Sequence, residues 1–78
     1  MRMKERLSDC RAGEDFTVWG IRLEESLGHR LLALGIVPGC RIRVLFKKRA
    51  GTMVIRCRGA RYALGAEAAK GIVGGKTI

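Results

Sequence analysis

Seventy-eight residues with 47% apolar content suffice for one small domain, 1–78, and exclude a catalytic domain joined to a cofactor domain. That composition argues against disorder. No apolar run approaches the roughly 20 residues of a membrane-spanning helix, and the start, Met1-Arg2-Met3-Lys4, has no apolar signal core, so a cytoplasmic protein is expected. The extreme property is a net charge of +9, which calls for an acidic partner: nucleic acid, anionic lipid or an acidic protein surface.

Residues 1–11 mix charge with Met3, Leu7 and Cys10 without a clear period, and Leu7 is expected to tuck onto a core. Ala12-Gly13-Glu14-Asp15 reads as a turn. Phe16 to Ile21 alternates as a strand, with Phe16 and Val18 on one face and Thr17, Trp19 and Ile21 on the other. Over 24–34 a helix is predicted, because Leu23, Leu27, Leu31 and Leu34 recur at helical spacing and form a core stripe. Glu24 and Glu25 suit its positive N-terminal end, and Ser26 is able to cap a shorter helix. At about 100° per residue, Leu32 points off the stripe. Either a neighbouring segment covers it, or it is an exposed apolar contact for a partner.

Gly35 follows at the place where a left-handed residue stops a helix, and Pro38-Gly39 supplies the central pair of a type II turn. Cys40, Ile42, Val44 and Phe46 then alternate with Arg41, Arg43, Leu45 and Lys47, a strand with one buried face. Strands over 40–47 and 52–58 form a hairpin. Pairing Phe46 with Gly51 leaves Lys48-Arg49 as a two-residue loop needing positive φ twice, which suits neither residue. The expected register is therefore Phe46–Met53, Val44–Ile55 and Ile42–Cys57, with Gly51 as the permissive loop residue. It sets Arg41 opposite Arg58 and Arg43 opposite Arg56, like charges that cost stability unless anions meet them. Gly59-Ala60 reads as a type II′ turn, 61–64 as the returning strand, Ala66 to Lys70 as one helical turn, 71–73 as a last strand and 74–78 as a frayed tail. The fold class predicted is mainly β: a small barrel of five to six strands with one inserted α-helix and a short C-terminal helical turn.

Two stretches carry a resemblance. Arg30-Leu31-x-x-Leu34-Gly35-Ile36-x-Pro38-Gly39 resembles the signature of the FeoA family, small soluble companions of the bacterial iron transporter FeoB. Gly59-x-x-Tyr62-Ala63-Leu64-Gly65-x-Glu67-x-Ala69-x-x-Ile72 resembles that family's closing segment, and with Gly13-Glu14 the likeness spans nearly the whole chain. It implies an SH3-like barrel with the helix after its first strand. It also implies a non-enzymatic accessory of ferrous iron uptake, acting on the FeoB membrane GTPase at the cytosolic face, where an anionic inner leaflet also attracts a basic protein. The chain departs from the family at the hairpin tip, where members commonly carry proline and this sequence reads Phe46-Lys47-Lys48-Arg49-Ala50-Gly51.

No catalytic constellation accompanies these motifs. His29 is the single histidine, one helical turn from Glu25, with no nucleophile placed beside it. Cys10, Cys40 and Cys57 lack zinc-binding spacing; Cys40 and Cys57 face inward on adjacent strands as half of a tetrahedral site at most, and buried small thiols are the expectation. The resemblance transfers no metal-ligand motif, so neither metal nor cofactor is expected. Leu32 with Arg41, Arg43, Arg56 and Arg58 is the predicted partner surface. Nucleic acid is the rival ligand for the basic face, weakened because stacking aromatics are absent there: Trp19, Phe16 and Tyr62 lie on other strands and Phe46 points inward. A further alternative is a free-standing relative of the barrel domain of metal-dependent repressors.

Overall fold

The computed structural model describes residues 5–77. Strand β1 (Glu5–Arg6) leads into a 3-10 turn at Leu7–Asp9. There follow β2 (Asp15–Ile21), helix α1 (Glu25–Ala33), β3 (Arg41–Lys47), β4 (Met53–Cys57), β5 (Ala60–Leu64), helix α2 (Ala66–Gly71) and β6 (Ile72–Thr77). The strands form one antiparallel sheet in the order β1-β6-β2-β3-β4-β5. Among the described residues no helix is long and apolar enough to cross a membrane.

The first and last strands meet, because β6 lies between β1 and β2. The tail expected to fray from residue 74 is therefore a paired strand as far as Thr77, with Gly74 and Gly75 buried. The reason is close approach, which local propensity does not report. A Cβ at Gly74 would stand 1.9 Å from the Thr17 carbonyl oxygen and 2.9 Å from the Phe16 ring, so glycine lets β6 lie against β2. Met3 and Ile78, named with the charged start and the tail, lie outside the described residues. Leu7 and Cys10 are buried with Phe16, Val18, Ile42, Val44, Met53 and Ile55 in one core.

Helix α1 opens with Glu24 as N-cap: its carboxylate accepts from the Leu27 N–H at 2.8 Å and from the Ser26 hydroxyl. A carboxylate there satisfies a free backbone donor and meets the positive helix end, and these hydrogen bonds hold Glu24 below the usual carboxylate range. The helix ends as a Schellman motif. The Ile36 N–H donates to the Leu31 carbonyl at 3.1 Å and the Gly35 N–H to that of Leu32 at 2.9 Å, with Gly35 at φ +90°. Leu31 and Ile36 are both buried, the apolar contact that accompanies this motif. Leu34, assigned above to the core stripe, is instead 38% exposed, because the reversal at Gly35 puts Ile36 on the core in its place. Next comes the type II turn, Val37-Pro38-Gly39-Cys40, closed by Cys40 N–H to Val37 carbonyl at 2.9 Å. Its Gly39 N–H donates to the Val18 carbonyl at 2.7 Å, hooking the corner onto β2.

The β3–β4 pairing keeps Ile42 opposite Cys57, Arg43 opposite Arg56 and Val44 opposite Ile55. Beyond Val44 the register shifts at Leu45, and Phe46 faces Val54 rather than Met53. A bulge residue breaks the two-residue alternation, so Phe46 turns outward and is 47% exposed. Gly51 takes φ +98° in the loop. At the other end, the turn centres on Arg58-Gly59 and not on Gly59-Ala60: Cys57 pairs with Ala60, and Arg58 and Gly59 have φ +55° and +81°. Positive φ at both central residues is the type I′ form that matches strand twist. Arg58 is thus a turn residue and does not face Arg41 within the ladder. Arg41 pairs with Thr17 of β2.

Candidate functional site

Two exposed surfaces flank the corner between α1 and β3. On the first, Leu32 projects from α1 and is 46% exposed, so no neighbouring segment among the described residues covers it. It lines a groove of about 290 Å³ with Ile21, Leu23, Gly28, Pro38, Glu25 and His29. The helix end built by Leu31, Gly35, Pro38 and Gly39 is what sets Leu32 there: Leu31 goes down into the core, and its successor on the helix points away. Trp19 adds exposed apolar surface on β2, at a bulge between Val18 and Gly20 that leaves Val18 buried and turns the indole outward. A large apolar side chain left in solvent over a groove, as Leu32 is, has the composition of an interface centre.

The second surface is cationic. Ladder positions run Asp15, Arg43, Arg56 and Arg61 straight across β2, β3, β4 and β5. Arg43 is neutralised at one end of this file: its Nε and Nη2 donate to the two Asp15 carboxylate oxygens at 2.7 and 2.9 Å. The same bidentate pair holds the Asp15 carboxyl below the usual carboxylate range. Arg56 and Arg61 form no salt bridge among the described residues, nor do Arg41 and Arg58. Sequence reasoning missed Arg61, because only the corrected β4–β5 turn places it opposite Arg56. The Arg58 side chain runs past Gly35, so that a Cβ there would come within 3.3 Å of its Cδ. Tyr62 donates from its hydroxyl to the Leu34 carbonyl at 3.3 Å, joining β5 to the same helix end. Lys47 turns elsewhere and donates from Nζ to the Ser8 carbonyl at 2.9 Å. Phe46, paired with Val54, lies on the same side of the sheet as Arg56.

The other residues of the resemblance are structural in their placement. Leu64 is buried in the core, Ala63 is exposed opposite Val54, and the Arg30 carbonyl accepts from the Leu34 N–H at 3.2 Å. Cys40 and Cys57 bring their Sγ atoms to 2.7 Å, while Cys10 is buried beside the 3-10 turn, where burial raises its thiol to about 11. Among the described residues, no group of three or more His, Cys, Asp or Glu is placed to hold a metal ion. His29 lines the Leu32 groove and is exposed.

A family profile described as the FeoA domain matches residues 5–74. No curated protein sequence matches the chain. Among solved structures, the iron uptake regulatory protein FeoA superposes with a TM-score of 0.87 at 28% identity, covering 96% of this chain and all of that one (100%). A manganese-dependent transcriptional repressor superposes with a TM-score of 0.88 at 26% identity; the match covers 99% of this chain but 43% of the repressor. FeoA of Stenotrophomonas maltophilia complexed with zinc, an SH3 domain protein, has a TM-score of 0.81 at 22% identity and covers 94% of this chain and 95% of its own. The last likeness is one of fold, and that fold is SH3-like.

Proposed function

The chain belongs to the FeoA domain family, which is linked to ferrous iron transport, and on that premise we propose that it is a small non-enzymatic regulator of ferrous iron uptake. It acts from the cytoplasm by docking on the cytosolic part of a FeoB-type membrane transporter. The observation that carries this reading is Leu32, an exposed leucine over an apolar groove on the helix that holds the family signature. A buried apolar anchor of this kind supplies affinity, while charges at its rim set association rate and salt response. Arg41, Arg56, Arg58 and Arg61, on the second surface, supply charge that steers association, with Arg43 partly satisfied by Asp15. They favour an acidic protein surface and are drawn to the anionic inner leaflet.

The test is ferrous iron uptake by cells that keep the transporter but lack this chain. The rate is expected to change, in either direction, and to be restored by the intact protein. Unchanged uptake would overturn the proposal. One observation favours a second reading, a basic barrel that binds nucleic acid: Phe46 is exposed on the hairpin that carries Lys48 and Arg49.

A further inference from the structure

Cys40 and Cys57 stand at the two ends of the corner described above. Cys40 follows the Pro38-Gly39 turn and is held to β2 by its carbonyl, which accepts from the Val18 N–H at 2.9 Å. Cys57 ends β4 immediately before the Arg58-Gly59 turn, with its Sγ 4.0 Å from the Gly35 carbonyl oxygen. Cys57 pairs with Ile42, two residues along from Cys40, so the two cysteines are diagonal neighbours across the β3–β4 ladder, and both are buried. Their sulfurs touch at 2.7 Å. Two thiolates sharing one zinc stand about 3.8 Å apart, as follows from Zn–S bonds of about 2.3 Å at tetrahedral angles. The pair is closer than two thiolates that share a zinc and stands nearer to the bond length of about 2.05 Å in a disulfide.

We propose that Cys40 and Cys57 are an oxidative modification site, a dithiol that a small-molecule disulfide such as oxidised glutathione converts reversibly into one intramolecular bridge. Cys40 reacts first, since it keeps 8% of its surface in solvent whereas Cys57 keeps 1%. Burial and the neighbouring Cys40 sulfur also raise the Cys57 thiol above its ordinary range, which suits it to the second step. The Cys40 thiolate attacks one sulfur of the small disulfide, breaking its S–S bond and releasing one glutathione thiol. Cys57 then loses its proton and attacks the Cys40 sulfur of the mixed disulfide, forming the Cys40–Cys57 bond and releasing the second glutathione thiol. The protein loses two electrons and two protons, and both appear in the two thiols released. Arg41 and Arg58, adjacent in sequence to the two cysteines, favour an anionic oxidant of this kind. The bridge ties the start of β3 to the end of β4 beneath the helix end that carries Leu32.

The experiment equilibrates the reduced full chain in glutathione buffers of increasing oxidised fraction, quenches by alkylation and maps disulfides by peptide mass spectrometry. A single Cys40–Cys57 bridge within one molecule is expected, with Cys10 alkylated. The folded chain should form it with an equilibrium constant at least about tenfold above that of the chain in concentrated urea, equivalent to about 30 mV. In Cys57→Ala the reaction should stop at a glutathione adduct on Cys40. Bridges involving Cys10 in the folded chain, a lasting adduct in the parent protein, no oxidation, or equal constants folded and unfolded would each overturn the proposal. Should the variant not fold, mapping of the parent chain decides alone.

Discussion

Arg56 stands directly opposite Arg61 across the β4–β5 ladder and opposite Arg43 across β3–β4, so one arginine position lies between two others. Opposed like charges destabilise a sheet, and Arg56 has two such neighbours with one carboxylate, Asp15, at the far end of the file. Arg56→Gln is expected to stabilise the isolated protein by about 0.2–1 kcal/mol. The check is the urea midpoint at low and high salt. The gain should shrink as salt screens the parent's repulsion, and a loss of stability in the variant would show that Arg56 has a structural role.

The Asp15–Arg43 pair makes a pH prediction. The folded-state pKa of Asp15 lies below the unfolded value of about 3.9, because Arg43 donates two hydrogen bonds to the charged form. Its stabilisation is thus fully present above the unfolded value and is lost as pH falls through the folded one. In a carboxyl NMR titration, Arg43→Gln should move the Asp15 midpoint upward toward the ordinary range. An unmoved midpoint would contradict the assigned pair.

Gly74 and Gly20 separate crowding from general tolerance of alanine. Gly74→Ala drives a Cβ into the Thr17 carbonyl and should cost about 3 kcal/mol, the upper end for overpacking, with loss of β6 protection in hydrogen exchange. Gly20 has nothing within 4 Å of a built Cβ, and Gly20→Ala should stay within about 0.5 kcal/mol. Equal costs at the two sites would remove close approach as the reason β6 docks on β2.

For nucleic acid, weak and sequence-independent binding is expected, falling steeply with salt as phosphate contacts are screened. Phe46→Ala should lower what single-strand binding there is, since Phe46 offers a stacking face beside Lys48 and Arg49. Fluorescence anisotropy over a salt series measures this. Submicromolar binding at physiological salt that Arg56→Glu abolishes would put the basic-barrel reading first.

The helix, its stop, the type II turn and most of the β3–β4 register were legible because each rests on local chemistry: a leucine period, a glycine, a Pro-Gly pair, an apolar alternation. What was not legible depends on contacts distant in sequence or on irregularity. The Leu45 bulge reverses Phe46, and nothing in the alternation of 40–47 announces an extra residue. The Arg58-Gly59 turn uses a positive φ at an arginine, against its preference, so the sequence points one residue too far along. The tail became a strand through the fit of Gly74 against Thr17 and Phe16, far earlier in the chain than any local window covers. For the surface, Leu32 could be placed off the core stripe from its angle alone. Arg61 could not be added to the charge file until the turn before it was fixed.

The proposed regulation of iron uptake requires docking through Leu32. Surface-binding kinetics against the cytosolic part of FeoB test it, with circular dichroism confirming that each variant is folded. Leu32→Glu should keep the parent's fold and weaken binding at least about 30-fold, mainly through faster dissociation, as expected of a residue that carries about 2 kcal/mol or more of an interface. Arg43→Glu combined with Arg56→Glu should slow association and flatten its salt dependence. If folded Leu32→Glu protein binds FeoB as tightly and dissociates as slowly as the parent, the docking site is not the Leu32 groove.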